Sequence, residues 1–213
     1  MTFYQELQLN QAGSKALIRS CTDKKEKMRH TAIYLLKIFI TMVFCMAVVI
    51  GFSKIFGNDN SIVGVVVLLC VMAFRFADFG IRTPHAMGAL AIMFAILTFG
   101  PRLANDGGLA QEFLVNTVCI LALMVLGCHN VVMFNHSTLL LSYLLLYGYD
   151  VTGALYIQRL IAMGIGAAAT LIVYYRNHRK KVYTRSLKDI FREFDVRSLR
   201  TRWQITMVFG VTT

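Results

Sequence analysis

Arg159 is the residue whose chemistry stands out first. It follows Ala154-Leu155-Tyr156-Ile157-Gln158 inside a long apolar run. Lipid solvates a guanidinium poorly, so the side chain has to face a helix bundle or a water-filled cavity. Its planar fork can hold a carboxylate bidentately. Snorkelling to the interface, or pairing with Asp150, would satisfy it as well. Arg75, Asp78 and Arg82 come next. They are three and four residues apart, which puts them on one helix face if a helix continues through them. They suit a gate or a proton-linked carboxylate, or an ion cluster that fixes topology. The stretch 127–138 reads GCHNVVMFNHST. His136 there could relay a proton, while its Asn, Ser and Thr are equally suited to capping a helix. Asn116 and Thr117 could hydrogen-bond between helices, and Asn116 could orient a substrate.

Other chemistry is not indicated. The five cysteines are odd in number, and with the histidines they match no zinc spacing, so no metal and no cofactor are expected. No phosphate loop, nucleophile elbow or paired-carboxylate site is present, and an enzyme is not expected.

The elements that must position these residues follow from composition. Of 213 residues, 57% are hydrophobic and 15% charged. Soluble domains run nearer about 45–50% and about 25%. The fold class expected is an all-α integral membrane bundle. A span needs about 20 mainly apolar residues, and six segments meet or approach that: 31–56, 61–79, 84–100, 109–128, 131–147 and 152–175. None alternates as a barrel strand would. The joints between them are short and rich in Gly, Asn, Asp and Pro, so successive helices should run antiparallel.

Charge placement sets the orientation. Of the 22 Lys and Arg, seven fall in 1–37 and ten in 176–202. With six spans, both basic flanks lie on one side, and the positive-inside rule makes that side the cytoplasm. The flanks carry no aromatic interleaving and are not read as nucleic-acid binders. Residues 1–30 form a cytoplasmic segment, 31–175 the six-helix domain, and 176–202 a basic linker. Within the linker, 186–195 (SLKDIFREFD) is an amphipathic helix that would anchor to anionic lipid or meet a partner element.

One internal echo stands out. Ile40-Thr41-Met42-Val43-Phe44 recurs as Ile205-Thr206-Met207-Val208-Phe209, each copy with a basic residue three positions ahead, Lys37 and Arg202. Segment 203–213 therefore reads as the start of a further span, the first of a second repeat. At about ten residues it is too short to cross. The expectation is a chain that continues into a second repeat or completes itself as a homo-oligomer.

Three stretches carry a resemblance: Tyr4-Gln5-Glu6-Leu7-Gln8-Leu9-Asn10, Phe76-Ala77-Asp78-Phe79-Gly80, and Gly127-Cys128-His129-Asn130 through Leu144-Leu145-Leu146-Tyr147-Gly148-Tyr149-Asp150. In texture and topology the chain resembles bacterial membrane proteins of the fusaric acid resistance family, relatives of the aromatic acid exporters. The resemblance covers most of the chain but includes no defined substrate motif. It implies six-helix membrane blocks, often two, in the inner membrane, and proton-driven efflux of aromatic carboxylic acids. On that reading Arg159 attracts the carboxylate, Asn116 orients it, and His136, Asp78 or Arg75 serves proton coupling or gating. The other function kept open is a non-transporting scaffold or regulatory subunit that recruits a partner through 186–195.

Overall fold

The structure is a computed structural model and describes residues 3–9, 11–77, 79–127, 135–192, 194–195 and 197–212. It is all-helical, with no strand among the described residues. The helices are α1 (Phe3–Gln8), α2 (Gln11–Ser20), α3 (Lys24–Phe56), α4 (Ser61–Phe74), α5 (Thr83–Asn105), α6 (Leu109–Gly127), α7 (Asn135–Gly148), α8 (Ala154–His178), α9 (Leu187–Arg192) and α10 (Leu199–Thr212). A 3₁₀ turn, Asn58–Asn60, precedes α4. The chain divides into two compact units, 1–48 and 49–213, the division falling within α3.

In the first unit, α1 meets the start of α3 through a buried carboxylate. Glu6 accepts hydrogen bonds from Arg29 Nη2 at 3.1 Å and His30 Nδ1 at 2.8 Å. Lys37 Nζ donates to the Leu9 carbonyl. The helix that carries the first apolar segment begins at Lys24 rather than at 31. Lys, Glu, Met and Arg are good helix formers, so the helix runs on through KKEKMRH beyond its apolar stretch. Leu35, Phe39, Met42 and Phe44 on this helix are exposed, as lipid-facing residues would be.

In the second unit, α4 packs against α7 and α8, and α5 against α6, α7 and α8. Val63, Val66, Cys70 and Phe74 of α4 are fully buried, as are Ala86, Ala89, Leu90 and Met93 of α5. The small-residue cluster of α8 has one position that fixes packing. A Cβ at Gly166 would collide with Val67 of α4, whereas one at Gly164 would meet open space. Close backbone approach is the usual use of Gly in membrane helices.

Among the described residues four helices, α3, α5, α6 and α8, are long and apolar enough to cross a membrane. Of the six spans expected, four are present at this length among the described residues. α4 stops at Phe74, short of the expected 79, and α7 covers 14 described residues, part of the expected 131–147 lying outside them. The third segment overruns its expected end: α5 continues through Pro101 to Asn105. Proline removes one backbone donor, a loss that membrane helices absorb when their neighbours pack closely, and Pro101 is buried.

The tail folds back on the second unit. The Arg82 N–H donates to the Arg185 carbonyl at 3.0 Å. His85 Nδ1 lies 3.2 Å from Ser186 Oγ and accepts the Leu187 N–H at 3.4 Å. α9 occupies only part of the expected 186–195, and it lies on α5 and α6 with Ile190 buried. α10 then runs back along α6. Gln204 Nε2 donates to the Met124 carbonyl at 3.2 Å, and Val211 and Thr212 lie beside Leu109 and Glu112 at the other end of that helix. The two helices are therefore antiparallel.

Candidate functional site

The joints before α4, between α5 and α6, and between α7 and α8 meet at one end of the second unit, and the polar chemistry collects there. Gly57 (φ 86°) and Gly153 (φ 60°) allow the turns that bring two of these joints in. Arg159 lies in the second turn of α8 and is 3% exposed. Its Nε donates to Asn60 Oδ1 at 3.1 Å, and its Nη2 to the Asp59 carbonyl at 3.4 Å. Asn60 is fully buried and uses both its amide N–H groups and its oxygen. Its Nδ2 donates to the carbonyls of Phe56 and Leu155, both at 3.1 Å.

Asp150, the partner that sequence offers to Arg159, is taken by another cation. Arg102 Nη1 reaches Asp150 Oδ2 at 2.7 Å, and Arg102 Nη2 pairs with Asp106. Tyr156 stands beside the Arg102 guanidinium, 6.0 Å from ring centre to Cζ. Among the described residues no carboxylate lies within 4.0 Å of Arg159. Both of its hydrogen-bond acceptors are neutral oxygens. Next to it, Asn58, Asp59, Ser61, Tyr149 and Asp150 line a cavity of about 330 Å³.

The remaining predicted residues are spread out. Asn116 lies in a different place, a groove between α6, α7 and α10, where its Oδ1 accepts the Tyr143 hydroxyl at 2.7 Å. Arg159 and Asn116 do not share a pocket. His136 begins α7 at the opposite end, buried, with its ring edge-on to Trp203 at 5.1 Å. Arg75 is exposed, caps the end of α4 and covers the Phe76 ring at 5.2 Å. Asp78 lies outside the described residues. Arg75 and Arg82 do not share one helix, because α4 ends at Phe74 and Arg82 is the N-cap of α5.

Sequence reasoning missed Asn60, Arg102 as a partner for Asp150, and Glu112. Asn60 read as a turn residue, and nothing in its local sequence shows that its amide points inward. Glu112 carried a signal that went unused: it is a carboxylate inside a segment expected to span. Among the described residues no three His, Cys, Asp or Glu stand close enough together to hold a metal. Compared with family models, curated proteins and solved structures, the chain has no significant match.

Proposed function

We propose that this chain is a membrane-transport module for small organic anions, aromatic carboxylates in particular, working as an exporter in a bacterial inner membrane with its basic flanks in the cytoplasm. The observation that carries this reading is Arg159, a buried guanidinium held only by an amide oxygen and a backbone carbonyl. The carboxylates of Asp150 and Asp59 reach it only through longer-range charge interaction. A carboxylate in direct contact would form the stronger charge-assisted hydrogen bonds that neither of them makes to Arg159.

The resemblance to the fusaric acid resistance family supplies the substrate class and the proton gradient as driving force. His136, buried against Trp203, is the residue proposed to carry the coupled proton. α10 lies antiparallel along α6, as an additional membrane helix packed on it would.

The test is transport of a radiolabelled hydroxybenzoate in inside-out vesicles. Arg159→Gln should lower the initial rate by about tenfold or more, as expected for loss of a charged hydrogen-bond donor to the substrate, with membrane abundance unchanged. An unchanged rate overturns the assignment.

A further inference from the structure

We propose that the groove between α6, α7 and α10 is a binding site for a small organic cation, an ammonium group carried on an aromatic or aliphatic body. The groove holds about 370 Å³, within the range of about 300–1,000 Å³ typical of small-molecule sites. Phe113, Ile120 and Leu144 form apolar walls, and Glu112, Asn116 and Tyr147 bring polar groups to it. An apolar lining with a few convergent polar atoms is how such sites obtain both affinity and orientation.

Glu112 gives the groove its sign. Among the described residues it is the one charged side chain lining it. It stands in the first turn of α6, at the positive end of that helix's dipole. The Tyr147 hydroxyl donates to its Oε1. A carboxylate has about four acceptor positions, so one hydroxyl leaves most of its capacity for a ligand. Among the described residues no Lys, Arg or His comes within 4.0 Å of it. This is the converse of the Arg159 site, a negative charge in an apolar setting with no cation beside it.

The rest of the lining agrees with that choice. Asn116 Oδ1 already accepts from Tyr143, and an amide oxygen has a second lone pair for an ammonium N–H. The rings of Phe113 and Tyr147 can lie against a cation and draw it in through their faces. An anion of the same shape would meet Glu112 with like charge and be rejected.

The experiment uses the full chain in phosphatidylcholine nanodiscs, with ¹⁹F line broadening of 4-fluorophenethylamine as the readout. 3-(4-Fluorophenyl)propionate serves as the anionic counterpart. The amine should broaden beyond its behaviour with empty discs. Glu112→Gln should weaken its apparent affinity by about tenfold or more, the usual cost of removing one member of a desolvated charge pair. Leu144→Trp, which fills the groove and leaves Glu112 in place, should abolish the effect and gives a second arm if the first variant fails to fold. Leu114→Ala, on the exposed side of α6, should behave as the parent. The propionate should show no broadening that depends on Glu112. The proposal is overturned if the folded Glu112→Gln or Leu144→Trp protein broadens the amine like the parent. It is equally overturned if no protein-dependent broadening appears up to about 10 mM, where a ligand of this size should register.

Discussion

Arg102 holds the Asp150 carboxylate at 2.7 Å, and Asp150 is thereby committed away from Arg159. The two arginines at this end of the bundle differ in kind: Arg102 is paired with two carboxylates, Arg159 with none among the described residues.

That difference should be visible in stability. Asn60→Ala removes three hydrogen bonds at a fully buried position and strips Arg159 of its side-chain partner. The expected loss is about 2–4 kcal/mol. Asp150→Asn breaks a pair that is partly exposed on both sides, and Arg102 keeps Asp106. Its expected cost is below about 1 kcal/mol. Reversible unfolding in detergent micelles, both variants against the parent, measures the contrast; equal losses would mean that Asn60 does not organise this end.

The glycines of α8 should separate in the same assay. Gly166→Ala puts a methyl group into Val67, so α8 and α4 must move apart, at about 1–3 kcal/mol. Gly164→Ala meets open space and removes a helix-weakening residue, so it should be neutral or stabilising by up to about 1 kcal/mol.

The N-terminal unit should respond to acid through Glu6. Burial pushes its carboxyl pKa up. Hydrogen bonds and charge interactions with His30 and Arg29 outweigh that and bring it below the ordinary 4.5. With the folded pKa depressed, the stabilisation is fully present above about 4.5 and disappears as pH falls through the lower folded value. Hydrogen exchange in α1 should therefore accelerate, beyond the intrinsic pH effect, between about pH 6 and about pH 3. Glu6→Gln should abolish that extra change.

The tail should loosen when its latch is cut. His85 is the side chain that receives the Leu187 N–H and meets the Ser186 hydroxyl. His85→Ala leaves the 185–188 segment tied by the Arg82–Arg185 backbone bond. Tryptic cleavage after Lys188 should then be several-fold faster than in the parent, while cleavage in the 24–29 region should stay the same. Equal rates at Lys188 would show that the Arg82–Arg185 bond and burial of Ile190 secure α9 without His85.

What could be read from sequence was what depends on local composition. The all-helical class follows from apolar runs without alternation, and Leu109 as the start of α6 follows from the turn residues just before it. The inward position of Arg159 follows from its place inside such a run. What escaped reading depends on partners distant in the chain. Arg102 and Asp150 are 48 residues apart, and Arg159 and Asn60 are 99 apart. Each choice of partner is decided by which helices lie side by side. Helix ends escaped for a different reason. Neither the charged start of α3 nor Pro101 in α5 ends its helix, because hydrogen bonding does not stop where hydropathy does. The tail helix was legible as amphipathic, but not the surface its apolar side meets, which is set by the length of chain between His178 and Leu187.

The bonds from Arg159 to Asn60 and to the Asp59 carbonyl have one more consequence. Two of the five N–H groups of that guanidinium clamp the 58–60 turn to α8. On the reading proposed above, an anion held by the other three would leave the clamp in place, so one side chain would both close a helix joint and hold the ligand. Loss of the whole side chain would then release the joint as well as the anion.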